Sequence, residues 1–172
     1  MKIKQKLVSY VVMGTLVALG ATSVAMAEMN GGGANIGAFA GAGFHTGSII
    51  GISSTNTELA GGVEANYRLP SNPIQVGAEF YSSRGNSQLM AKVDFYPAEE
   101  FFVGALAGIS LGNGQNFLWG AEAGMLFDLG NGLQFGPKVE YVTGNTSSNA
   151  LNASSYSISA LGLLRYNFTA SK

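Results

Sequence analysis

The sequence predicts an all-β fold, an eight-stranded antiparallel up-and-down β-barrel that crosses a membrane. Three observations predict it. From Asn35 onward apolar residues recur at every second position, turn-forming residues interrupt them at fairly even spacing, and one face of the segments is almost free of charge while the other collects it. Hydropathy agrees. The mean is +0.21 and only 11% of residues are charged, yet no apolar run after residue 27 reaches the ~18 residues of a spanning helix. Membrane strands produce that combination, because their apolar residues come at alternate positions.

Residues 1–27 are set apart from the fold. Lys2, Lys4 and Lys6 form a positive segment, Leu7 to Val24 an apolar one, and Ala25-Met26-Ala27 is the small-x-small pattern a signal peptidase cuts after. A membrane anchor fits less well, because Ser9, Gly14 and Gly20 interrupt the run. The expected organisation is a signal peptide over 1–27, a flexible leader over 28–34, the barrel over 35–168 and a short tail over 169–172. Without Lys2, Lys4 and Lys6, six of the nine basic residues remain against ten acidic ones. That mild acidity, with no basic cluster, argues against nucleic acid as a partner. The absence of cysteine means that an exported chain of this size needs another source of stability, such as a closed sheet.

The clearest strand is 58–69. Leu59, Gly61, Val63, Ala65, Tyr67 and Leu69 share one face, and Glu58, Ala60, Gly62, Glu64, Asn66 and Arg68 the other. Ile74, Val76, Ala78 and Phe80 repeat the pattern against Gln75, Gly77, Glu79, Tyr81 and Ser83, and Leu89, Ala91, Val93 and Phe95 against Gln88, Met90, Lys92, Asp94 and Tyr96. Further strands are expected at about 101–111, 117–129, 133–143 and 156–168, with a weaker first one at about 35–45. Tight turns at 70–73, 97–100 and 130–132 alternate with connections at 46–57, 84–86, 112–116 and 144–155. Short turns at the periplasmic end and more variable loops outside suit a membrane barrel.

A soluble barrel would also alternate, so the direction of the faces decides the class. The charged face holds Glu64, Arg68, Glu79, Lys92, Asp94, Glu122, Asp128, Lys138, Glu140 and Arg165. Six acids and four bases are too many for a dry soluble core, but they can pair inside a membrane barrel. On the apolar face Tyr67, Phe95, Phe101, Phe127, Phe135, Tyr166 and Phe168 are expected at the periplasmic end. Phe44, Phe80, Phe117, Trp119, Tyr141 and Tyr156 are expected near the outer end. Aromatic residues sorted into two girdles are a membrane signature. Val63, Val76, Val93 and Val139 should then face lipid.

Leu164-Arg165-Tyr166-Asn167-Phe168 resembles the terminal strand of outer-membrane barrels, whose aromatic-x-aromatic ending is read by the barrel assembly machinery. The architecture over roughly 34–168 resembles the small OmpA/OmpX-type barrel superfamily, with no single family assigned. Thr169-Ala170-Ser171-Lys172 departs from that pattern, because the final aromatic commonly ends the protein. The resemblance implies a monomer in the bacterial outer membrane, in contact with its lipid and lipopolysaccharide.

The hairpin at 70–73 places Glu64 opposite Glu79, a turn over 84–87 would place Glu79 opposite Lys92, and Glu122 should lie near Lys138 and Glu140 across 130–132. Such charges could line a polar path for ions or small solutes. A salt-bridged plug is the favoured reading, because side chains fill a barrel of eight strands. Lipid A deacylases and palmitoyl transferases on this scaffold use Ser and His near the outer rim. His45, the one histidine, is followed here by Thr46, Gly47 and Ser48, and no other part of those motifs is present. His45 is therefore expected to be a polar rim residue. No enzyme, cofactor or metal site is expected, and Gly31-Gly32-Gly33 lacks the following helix that a phosphate loop needs. The expected role is a non-enzymatic barrel with a structural or surface role, with a small channel or carrier as the alternative and a lipid-modifying enzyme last.

Overall fold

The computed structural model describes residues 33–49, 52–84, 86–111, 116–148 and 151–168. The expected signal peptide, most of the leader and the tail lie outside the described residues. Nine strands follow one another: β1 (Gly33–Ile49), β2 (Ile52–Arg68), β3 (Ile74–Ser83), β4 (Asn86–Phe95), β5 (Phe101–Ser110), β6 (Phe117–Met125), β7 (Phe127–Gly130), β8 (Leu133–Ser148) and β9 (Leu151–Phe168). Each pairs antiparallel with its neighbours in the sheet, and β1 pairs with β9 to close the ring. β6 and β7 are one barrel strand. Gly124 faces Lys138 and Phe127 faces Phe135 in the same register, so the ladder passes Leu126 without a slip. The architecture is thus an eight-stranded up-and-down barrel.

Three expectations on boundaries are corrected. The leader ends sooner than 34, because Gly33 and Ala34 already pair with Arg68 and Tyr67. The connections at 46–57 and 144–155 are mostly strand. β1 continues to Ile49 against Ile52, and β8 to Ser148 against Leu151. Ser and Thr there read as loop, but backbone pairing with the neighbouring strand runs on through them. Thr46 and Thr55 are 3.1 Å apart, and the Thr143 hydroxyl donates to the Ser155 carbonyl at 3.0 Å. One side of the wall (β8, β9, β1, β2) is therefore built from strands of 16 to 18 residues and rises past the ten-residue strands β3, β4 and β5.

Register fixes the bore. Following paired residues once round the barrel leads from Gly37 through Glu64, Glu79, Met90, Gly108, Leu118, Gly144 and Ser155 to Gly47, ten residues further along β1 than the start. With ordinary strand spacings that shear tilts the strands by about 40° and sets a backbone radius of about 8 Å. A ten-residue strand at that tilt spans about 26 Å, the height of an apolar membrane band.

The faces are as the alternation requires. Val93 and Val139 are each 51% exposed on the outside, and Val76 and Leu164 are also exposed there. The lower aromatics Phe95, Phe101, Phe127, Phe135 and Tyr166 and the upper aromatics Phe44, Phe117, Trp119, Tyr141 and Tyr156 are exposed on the same outer surface. Tyr67, Phe80 and Phe168 are half-buried against neighbours. Tyr141 and Tyr156 stack at 6.3 Å across β8 and β9, and Tyr166 meets Phe168 edge-on at 5.1 Å. Alanine dominates between the belts, at 38, 40, 91, 105, 107, 121 and 160.

The turn after β7 depends on backbone that side-chained residues rarely adopt. Gly130, Asn131 and Gly132 have φ of 89°, 56° and 79°. A Cβ on Gly132 would also lie 2.6 Å from the Asn167 carbonyl oxygen. Gly132→Ala is expected to lower unfolding free energy by about 1–3 kcal/mol in urea titrations in vesicles.

Candidate functional site in the lumen

The lumen is filled. Its lower part holds a chain of amides, in which the Asn66 amide donates to Asn35 at 2.9 Å, Asn35 to Gln75 at 2.9 Å, and Gln75 to Asp94 at 3.0 Å. An apolar cluster of Phe39, Ala60, Tyr81, Tyr96, Phe102, Leu126, Leu161 and Leu163 packs against it, and a smaller one of Met90, Leu106, Leu118 and Val142 lines another part of the lumen. Between them lie eight buried charges: Glu64, Glu79, Lys92, Asp94, Glu122, Lys138, Glu140 and Arg165.

Three cations organise five carboxylates. Lys92 Nζ lies 3.0 Å from Glu64, 2.5 Å from Glu122, 3.4 Å from Asp94 and 3.9 Å from Glu79. Lys138 Nζ lies 2.6 Å from Glu140, 2.9 Å from Glu79, 3.2 Å from Glu122 and 3.8 Å from Glu64, and 4.1 Å over the Phe39 ring. Arg165 donates from Nε at 2.8 Å and from Nη2 at 2.5 Å to Glu64 Oε1, and from Nη1 to the Tyr96 hydroxyl. Each cation thus has several partners, the arrangement that makes buried charge tolerable. The side chains of Lys92, Lys138, Glu64, Glu122 and Asp94 have no exposed surface.

Glycines let partners meet across an intervening strand. Gly104 pairs with both Asp94 and Glu122, and a Cβ there would lie 2.2 Å from the Asp94 carboxylate and 3.0 Å from Glu122. Glu79, Glu122 and Glu140 bring carboxylate oxygens within 4.8 Å of one another, a spacing that could hold a metal ion. The Lys138 ammonium stands beside all three, as a cation supplied by the chain itself.

Of the ten charges expected in the lumen, eight are buried there, Arg68 is half-buried over a ring of the lumen, and Asp128 is exposed. Asp128 is exposed, because β7 ends at the rim of the barrel, and its carboxylate accepts a 2.8 Å bond from the Gly130 amide in the turn. Arg68 is half-buried, with its guanidinium 4.5 Å over the Tyr96 ring. The expected register of β3 and β4 is also corrected. Ser83 pairs with Asn86, so the hairpin turns over two residues, and Glu79 faces Met90 while Lys92 faces Gly77. The error of two positions preserves the faces, which is why Lys92 still points inward. Glu64 does face Glu79, and Glu122 faces Glu140. His45 Nε2 lies 3.4 Å from the Ser83 hydroxyl near the upper end of the barrel.

Solved structures resemble this chain. Neisserial surface protein A aligns over 77% of this chain and 97% of its own, with a TM-score of 0.58 and 13% identity. The fold is that of a small outer-membrane β-barrel. The outer membrane protein AlkL aligns over 81% of this chain and 92% of its own (TM-score 0.45, 14% identity), and OprG from Pseudomonas aeruginosa over 82% and 97% (TM-score 0.35, 12% identity). No family model matches the sequence, and no curated protein does. The likeness to the Neisserial protein carries the fold. The apolar belt, the two girdles and the charged lumen carry the bilayer setting.

Proposed function

We propose that this protein is a non-enzymatic, non-conducting barrel of the bacterial outer membrane, with a structural role or one carried by its outer surface. The lumen network supports this reading most directly. An eight-stranded bore of about 8 Å radius leaves little beyond side-chain volume, and here ion pairs with no exposed surface block its axis. The outer surface suits lipid and lipopolysaccharide around a monomer, and Tyr166 and Phe168 suit recognition by the assembly machinery. The wall of β1, β2, β8 and β9 carries hydroxyl-rich hairpins outward, where a partner would meet them.

Purified protein in planar bilayers is expected to show no steady single-channel conductance. A stable ohmic conductance with ion selectivity would overturn the plug and favour a small channel.

A further inference from the structure

The geometry points to Arg165 as the residue that sets the register in which the last strand closes on the first. Every other neighbouring pair of strands is joined by a local turn, whereas β1 and β9 meet across the whole barrel, Ala34 facing Phe168. Closing that seam is the most non-local pairing in the fold, and no turn fixes its alignment. Nor does β1 fix it well. From Gly33 to Phe44 the strand reads GANIGAFAGAGF, so its lipid face is mostly alanine and its inner face mostly glycine. Strands of that composition specify register weakly, because a slip by two residues exchanges one small side chain for another.

Arg165 supplies the missing information. It faces Gly37 across the seam, and Gly37 in turn faces Glu64 on β2. The glycine leaves the space over β1 open. A Cβ there would come 2.9 Å from the Glu64 side chain and 3.0 Å from Leu163. Through that gap the guanidinium takes Glu64 Oε1 with two nitrogens and the Tyr96 hydroxyl with a third. A slip by one residue would turn Arg165 toward lipid. A slip by two would move it about 7 Å along β1, beyond hydrogen-bonding distance of Glu64. The bidentate contact therefore forms in one register. Lys92 is buried as deeply, but its partners lie on β2, β3, β4 and β6, so it does not bridge the seam.

The chain contains no cysteine, so engineered pairs can trap the register. Ala42 faces Ala160 and Ala40 faces Gly162 in the native seam. A disulfide between Ala42→Cys and Ala160→Cys reports that register. Ala40→Cys with Ala160→Cys, or Ala42→Cys with Gly162→Cys, reports a slip by two residues in either direction. The protein is folded from urea into phosphatidylcholine vesicles, oxidised and separated by gel mobility. Arg165→Met is expected to raise the slipped disulfides roughly tenfold over the parent, in keeping with loss of a buried charge-assisted bond. Lys92→Met should leave them at the parent level. A control pair on β4 and β5, Ala91→Cys with Ala107→Cys, should form equally in all three backgrounds. If Arg165→Met yields no folded barrel, Arg165→Lys, which keeps the charge but loses the fork, is read instead and should give an intermediate rise. Slipped disulfides at the parent level in the Arg165 variant that folds, or an equal rise in Lys92→Met, would overturn the assignment.

Discussion

Lys92→Ala should lower the unfolding free energy by about 3–5 kcal/mol, the range for removing one partner from a dry buried ion pair. The loss does not fall evenly on its four carboxylates. Glu64 keeps Arg165 at 2.5 Å, while Glu79 and Glu122 keep Lys138 at 2.9 and 3.2 Å. Among the described residues Asp94 has no second cation within 4 Å; it keeps the amide of Gln75 and stands beside the Glu122 carboxyl group. Without Lys92 it would either stay ionised and unpaired or take up a proton, and both cost stability. Urea titration in vesicles, followed by gel mobility and by fluorescence of the single tryptophan Trp119, measures the change. Lys92→Arg keeps the charge and should lose less. A change under about 1 kcal/mol for Lys92→Ala would mean that water reaches the network, since hydrated ion pairs contribute no more than that. In that case Lys92→Ala should instead leave a hydrated excess of carboxylates along the axis, and any conductance should become more cation-selective.

Period two made the outer surface and the inward charges legible from the residues alone. Where one face carries charge, as in Glu64, Asn66 and Arg68 against Val63, Ala65 and Tyr67, the alternation has one interpretation. It fails where both faces are apolar. In β9, Leu161 and Leu163 are buried in the lumen while Leu164 faces outward, and hydropathy cannot tell them apart. For that reason Phe102, Leu126, Leu161 and Leu163 cannot be assigned to the lumen by alternation, whereas Ala60, Tyr81, Met90 and Tyr96 fall on the charged face and are buried there. The outer hairpins are hidden for another reason. Serine, threonine and asparagine favour turns locally, and it is the long neighbouring strand that turns them into a ladder. Register is the least legible feature, because it depends on the centre of each turn. Reading 84–87 as the turn, in place of a two-residue turn between Ser83 and Asn86, moved the partner of Glu79 from Met90 to Lys92. The amide chain through Asn35, Asn66 and Gln75 is legible in the sequence, as polar residues at inward positions near one end of three consecutive strands.

An arginine on the lipid face should show where the apolar band is thickest. Val139 and Val93 are equally exposed at 51%, so exposure alone predicts the same cost for both. Val93 lies one outward position from Phe95 of the lower girdle, and Val139 lies one from Tyr141 of the upper girdle, so neither is nearer a girdle along its own strand. Val139→Arg and Val93→Arg are therefore each expected to cost about 2–4 kcal/mol, the value for arginine near the midplane of a barrel. Urea titrations of both variants in the same vesicles measure the two costs. Unequal losses would mean that the band is centred nearer the costlier position. No loss at either position would mean that this surface does not face lipid, and the transmembrane reading of the barrel would fall with it.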